Sequence, residues 1–243
     1  PHSAVYELSL KASEPRTGVK GARGLMLIEL DGSACEGWTV NFRMINDYFL
    51  RRNKTRRIDS RSSSWESSDG RKLRYSQQQI TDGKLQEDIL LSVERKQVDA
   101  VGTGTTRKPA RQDFKIPAGA LFPVGHQVRL VETALAGKSR DQSLVFDGSE
   151  GSKNYNAVSF IGKKQEAAQQ AGDGADFLRA LPSWPVSISY FSTDDGSGNT
   201  PVYQVKFRMY DNGIAGDMTL DYGEFALDGK LKKLKLSESQ PCD

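Results

Sequence analysis

The chain has 243 residues, 37% of them hydrophobic, with 34 Lys and Arg against 31 Asp and Glu and a net charge of +3; its mean hydropathy is −0.57. That length can bury a sizeable core, and no run approaches the roughly 18 apolar residues that a membrane helix needs. The near balance of charge predicts no polyanionic partner, and two histidines with two cysteines are too few and too scattered for a zinc site.

The chain opens on "PHSAVYELSL", already in strand pattern, a start that fits a processed mature form or a trimmed chain. "GWTVNFRM" then sets Trp38, Val40, Phe42 and Met44 on one face against Thr39, Asn41 and Arg43 on the other. The same alternation returns in "DILLSVERK", "PVSISYF", "VYQVKFRM" and "DMTLDYGEF", which predicts half-buried antiparallel strands. Asp-Gly pairs starting at 31, 69, 82, 147, 173, 195 and 228, with Asn-Gly at 212, supply turn signals, and "ALDGKLKKLKL" reads as a hairpin around Asp228-Gly229. Helix signal is scarce. In "LFPVGHQVRLVETALAGK" the residues Val124, Val128, Val131 and Leu135 recur at the spacing of one helical face, with Pro123 suited to the first turn and Gly137 to the position past the last. "GADFLRAL" (174–181) is a short helix candidate, and "KKQEAAQQAGDG" (163–174) a loop or frayed helix. So many strands and so few helices exclude a parallel α/β sheet. The chain is expected to curl into a large antiparallel sheet, barrel or spiral over 1–243. The stretches "SRSSSWESSDG" and "STDDGSGNT" read as a strand edge and a hairpin tip rather than as linkers.

A sheet this large has a hollow that needs a plug or a ligand. The stripe Val124, Val128, Val131 and Leu135, with Phe122 ahead of it, is the candidate plug; any space left is a groove lined by Trp38, Phe42 and Tyr203, residues that also read as plain core. The basic run Arg51, Arg52, Lys54, Arg56, Arg57 and Arg61 holds one acid, Asp59. It is either a patch for an anionic surface or a solvated hairpin whose charge discourages strand pairing. Aromatics do not interleave with it, so nucleic acid is not expected. "ETALAGKS" ends like a phosphate-binding loop, but Glu132 replaces the first glycine and the motif sits at a helix C-terminus, so no nucleotide is expected. His126, off the apolar stripe, is expected to face solvent or cap a neighbour rather than act as a base, and no nucleophile elbow accompanies it. Asp194-Asp195 lies at a loop tip, where Asp makes turns. No catalytic residue, cofactor or metal ligand is predicted. Cys35 and Cys242 are either two free thiols or one disulfide; the polar "SESQPCD" gives a thiol no core to hide in, which favours a staple and an oxidising compartment.

Together, "ACEGWTVNFRM", "LFPVGHQVRLVETALAGKS" leading to "LVFDGS", "PVSISYF", "TPVYQVKFRMYDNGIAGDMTLDYGEFALDGKLKKLKL" and the terminal Cys242 resemble the EipB family of periplasmic envelope-integrity proteins of Gram-negative bacteria. The resemblance implies a β-spiral, an open barrel-like wrap with a helix in or against its concave side, similar in outline to the periplasmic lipoprotein carriers. It also implies that Cys35 and Cys242 form the family's disulfide, and that the protein is a non-enzymatic contributor to envelope homeostasis. The partner implied is a periplasmic protein with tetratricopeptide repeats. The alternative is a carrier holding an acyl chain or lipoprotein anchor on the concave apolar face.

Overall fold

The computed structural model describes residues 1–166, 178, 180–194, 200–238 and 242. Its strands are β1 (His2–Ser13), β2 (Val19–Ser33), β3 (Gly37–Leu50), β4 (Thr55–Glu66), β5 (Lys72–Thr81), β6 (Lys84–Glu94), β7 (Gly102–Lys108), β8 (Gln112–Ile116), β9 (Arg140–Val145), β10 (Tyr155–Ile161), β11 (Ser183–Ser192), β12 (Tyr203–Tyr210), β13 (Ala215–Asp221) and β14 (Phe225–Leu236). A helix, α1 (Pro123–Leu135), separates β8 from β9. The helix candidate at 174–181, the polar stretch at 163–174 and the loop tip at 192–200 fall largely outside the described residues.

All fourteen strands form one antiparallel sheet in the order β8-β7-β6-β5-β4-β3-β2-β1-β14-β13-β12-β11-β10-β9. The chain thus runs two meanders, β1 to β8 and β9 to β14, joined where its first strand pairs with its last. Along that seam Ala4 faces Leu234, Tyr6 faces Leu231 and Leu8 faces Gly229. Period-2 alternation decides which face is buried: Ala4, Tyr6 and Leu8 are inside while Glu7 and Ser9 are exposed.

Turn chemistry is met at Asp82-Gly83, where both residues have positive φ (50° and 78°) and Thr81 pairs with Lys84 across a two-residue hairpin. The hairpin expected at Asp228-Gly229 is absent, because both residues lie inside the continuous strand β14. The glycine serves a close approach instead of a turn. A Cβ on Gly229 would stand 3.0 Å from Met218 Cγ and 3.1 Å from Leu8 Cδ2, so glycine lets its neighbours' side chains close over the seam. Asp228 is held across strands, accepting hydrogen bonds from Lys11 Nζ at 3.0 Å and Thr219 Oγ1 at 2.8 Å.

The two ends of the sheet meet around the segment that leads into α1. Leu121 donates its N–H to Leu144 O at 2.8 Å and accepts from Phe146 N at 2.9 Å, so it pairs with the free edge of β9. Phe114 of β8 lies 5.7 Å from Phe146, measured between ring centroids. Cys35, in the turn between β2 and β3, is bonded to Cys242 in the C-terminal tail, with 5.8 Å between Cα atoms and 207 positions between them in sequence. On the loop-entropy account a bridge of that span stabilises the fold by up to ~5 kcal/mol. Reduction is therefore expected to lower the unfolding midpoint, and a Cys35→Ser/Cys242→Ser variant to melt at the lower temperature with or without reductant; equal midpoints for oxidised and reduced protein would contradict this.

Candidate functional site

The interior of the wrap is organised around α1. Pro123 supplies the fixed φ of the first turn, but no side chain from α1's own flank caps its N-terminus. The cap comes from β4: Glu66, 3% exposed, accepts the Val124 N–H at 2.9 Å through Oε1 and also the N–H of Gly125. Burial pushes the Glu66 carboxyl up to about 7, against the pull of these two backbone donors. Further along, Gln127 Nε2 donates to Gly213 O at 3.1 Å, and Arg129 Nε donates to Asp141 Oδ1 of β9 at 2.7 Å. Burial would raise Asp141, but bonds from Ser143 and Arg129 outweigh it and hold the carboxyl below its usual range. The helix ends as its sequence indicates, with Gly137 at φ 70°.

The rotation of α1 corrects the plug expected from sequence. Its buried residues are His126, Leu130 and Ala134, with Val131 packed beside them, whereas Val128 is 49% exposed, Leu135 61% exposed and Val124 half-buried. At about 100° per residue, Val128 stands roughly 200° from His126. The anchors explain this orientation. Glu66 fixes the first turn, Arg129 must reach Asp141, and Ala134 is small enough to let the helix lie close to the sheet. His126, expected to face solvent or cap a neighbour, is therefore buried rather than facing solvent. Burial lowers its imidazole to about 4, its Nε2 has no hydrogen-bond partner, and its ring lies edge-on to Tyr190 at 6.5 Å.

Phe122 is buried in a cluster with Leu73, Leu91, Ile116 and Phe146, beneath the Arg95 guanidinium, 4.6 Å from the ring centroid. Trp38 is half-buried on β3, between Gly32 and Glu66 in register, and Phe42 packs against the core under β1 and β14. Of the residues expected to line a groove, Tyr203 does so. It belongs to an aromatic row running from Tyr155 to Tyr190 (centroids 6.4 Å apart), Tyr203 (5.9 Å), Tyr222 (5.2 Å), Phe225 (5.0 Å) and Tyr48 (5.5 Å). A cavity of about 380 Å³ opens beside Tyr155, Tyr190, Tyr203 and Tyr222, with Asp147 and Glu150 from the β9–β10 loop on its wall. Sequence reasoning missed most of this site. Tyr190 and Tyr222 sit in stretches read as strands, and Asp147 in an Asp-Gly pair read as a turn; only the register brings them together.

Half of the basic run is paired with carboxylates among the described residues. Arg57 makes a two-pronged bond to Asp47 (2.7 Å each), Arg61 and Arg43 both bind Asp59, and Arg56 lies 3.9 Å from Asp82. Arg61 and Arg43 hold the Asp59 carboxyl down at about 2. Arg51 Nη2 donates to Pro15 O, while Arg52 and Lys54 are exposed. Among the described residues no group of three or more His, Cys, Asp or Glu side chains is placed to hold a metal ion.

An open antiparallel wrap around α1, with a cavity lined by tyrosines and an exposed disulfide, defines a class of β-barrel-like proteins. A crystal structure from Brucella abortus, described as a β-barrel-like protein of a domain of unknown function, superposes with a TM-score of 0.90 at 32% identity, covering 98% of each chain. A B. abortus protein named cell envelope integrity protein EipB is 31% identical over 242 residues, which is 98% of this chain and 85% of that protein. The family model described as EipB-like matches residues 1–238, and the chain belongs to that family.

Glu66 yields a pH test. Its folded-state value lies above the unfolded one, so its contribution is complete below the unfolded value of 4.5 and is lost as pH rises through about 7. That shift corresponds to about 3 kcal/mol. His126 acts in the opposite sense, losing its contribution as pH falls from 6.5 towards about 4. It is present in wild type and in Glu66→Gln alike, so it cancels in their difference. The unfolding free energy of Glu66→Gln minus that of wild type is expected to rise by about 3 kcal/mol between pH 4 and 8 in denaturant titrations; a pH-independent difference would show that Glu66 titrates in the fold as it does in the unfolded chain, unshifted by burial.

Proposed function

We propose that this protein is a non-enzymatic periplasmic component that supports cell-envelope integrity by binding a protein partner. The observation that carries the reading is its 31% identity, over 98% of the chain, to a protein named for envelope integrity. The disulfide between Cys35 and Cys242 supports an oxidising compartment, since such bridges persist outside the cytosol. Two buried carboxyl groups inside the wrap have structural partners: Glu66 caps α1, and Asp141 ties α1 to β9. The partner implied by the family resemblance is a periplasmic protein with tetratricopeptide repeats. An acyl carrier needs a long apolar groove, and the cavity here, about 380 Å³ with two carboxylates on its wall, weighs against that alternative.

The test is genetic. Deleting the gene should sensitise cells to detergent and to large antibiotics that an intact envelope excludes, and a copy directed to the periplasm should restore resistance. Unchanged resistance after deletion, or rescue by a copy retained in the cytoplasm, would overturn the reading.

A further inference from the structure

The wall of the tyrosine cavity has an unusual chemistry for a protein interior. Four tyrosines, Tyr155, Tyr190, Tyr203 and Tyr222, contribute from β10, β11, β12 and the end of β13, and their rings are turned relative to one another. Tyr155 and Tyr190 meet at 89°, Tyr190 and Tyr203 at 27°, Tyr203 and Tyr222 at 44°. Tyr190 and Tyr203 are stacked, and the other rings lie at steeper angles around the same space. Two carboxylates, Asp147 and Glu150, share that space, and among the described residues no Lys, Arg or His lines it.

The two carboxylates are not equivalent. Glu150 is already balanced: Lys153 Nζ lies 2.8 Å from its Oε2, and the Tyr155 hydroxyl also bonds to it. Asp147 accepts hydrogen bonds at Oδ1 from Ser149 N (2.9 Å) and Ser149 Oγ (2.8 Å), and among the described residues no cationic side chain pairs with it. Burial pushes its carboxyl up, and the nearby charge of Asp147 helps to hold the Tyr155 and Tyr190 phenols neutral. The result is a carboxyl group with no cationic partner among the described residues, beside several tyrosine rings, in a cavity at the small end of the range for ligand sites; a cation bound there would favour its ionised form.

We propose that this cavity binds a methylated ammonium group, of the trimethylammonium kind, with the tyrosine faces surrounding the methyls and Asp147 supplying the counter-charge. A cation of this type makes no hydrogen bonds, so it loses little on leaving water and is attracted by the negative faces of aromatic rings, an arrangement used for quaternary ammonium ligands in aromatic cages. A neutral group of the same shape gains the apolar contact but not the electrostatic part. An anionic ligand meets Asp147 and is repelled. The site does not depend on the envelope reading above, since it rests on the cavity alone.

The test uses the oxidised full chain, titrated by calorimetry with choline chloride and with its neutral carbon isostere, 3,3-dimethyl-1-butanol. Saturable choline binding, at least tenfold tighter than the isostere, is expected. Equal binding of the two, or no binding of choline, would overturn the proposal. Asp147→Asn is expected to lose at least tenfold in choline affinity, and Tyr203→Phe, which keeps the ring, to retain it, with thermal unfolding confirming that each variant is folded. Full choline affinity in Asp147→Asn would also count against the site. Sedimentation with phosphatidylcholine and with phosphatidylglycerol vesicles identifies the source of the group: capture by the former alone, reversed by free choline, marks a lipid headgroup, and capture by neither, with choline still bound, marks a soluble cation.

Discussion

A sheet of fourteen strands wound back on itself encloses more space than its own inward side chains fill, and everything else in the molecule depends on how α1 takes up that space. The helix does not merely lie on the sheet. Glu66 of β4 holds its N-terminus, Asp141 of β9 holds Arg129 in its middle, and the loop at Gly213 holds Gln127. These three anchors come from parts of the sheet far apart in strand order, so the seated helix ties one meander to the other. The segment entering it does the same at the open ends, where Leu121 pairs with β9 and Phe122 fills the space between Phe146 and β5 and β6. An open sheet gains closure in this way without a strand-to-strand bond between β8 and β9.

Much of this was legible in the sequence, for a reason specific to antiparallel sheets with one wet face. Alternation is a local property, so "GWTVNFRM" and "VYQVKFRM" announce β3 and β12 directly, and the Asp82-Gly83 hairpin follows from two residues that tolerate positive φ. The boundaries of α1 were legible too, because Pro123 and Gly137 mark them chemically. Its rotation was not. The valine stripe and the His126–Leu130–Ala134 face share the same period, and what selects between them is Glu66 and Asp141, 58 residues before Val124 and 12 after Arg129. Asp228-Gly229 misled for the same kind of reason: glycine is required there by Met218 and Leu8 across the seam, contacts that no window of β14 contains.

The candidate site was less legible than the fold. Tyr203 was singled out as groove-lining, but the row it belongs to is assembled by register from β10 to β14, and its carboxylate comes from a loop whose sequence reads only as a turn. The basic run had the opposite history. It is conspicuous in sequence, yet half of its charge, on Arg56, Arg57 and Arg61, is answered by Asp82, Asp47 and Asp59, which strand pairing and the β5–β6 turn place alongside it. Exposed pairs of this kind add little stability; here they leave a surface less cationic than the run of Arg and Lys implies. Shared membership of the EipB-like family over 1–238 fits a protein whose identity lies in its wrap and interior rather than in a short motif.

The orientation of α1 is the point on which the account rests, and truncating one side chain on each of its faces measures it. Leu130 is fully buried and Val128 is 49% exposed. Leu130→Ala is therefore expected to cost about 2–5 kcal/mol in unfolding free energy, the range for a buried leucine, and Val128→Ala under about 0.5 kcal/mol, as for a surface change. A larger loss at Val128 than at Leu130 would mean that the valine stripe faces inward, and that the anchors described for Glu66 and Asp141 do not set the helix.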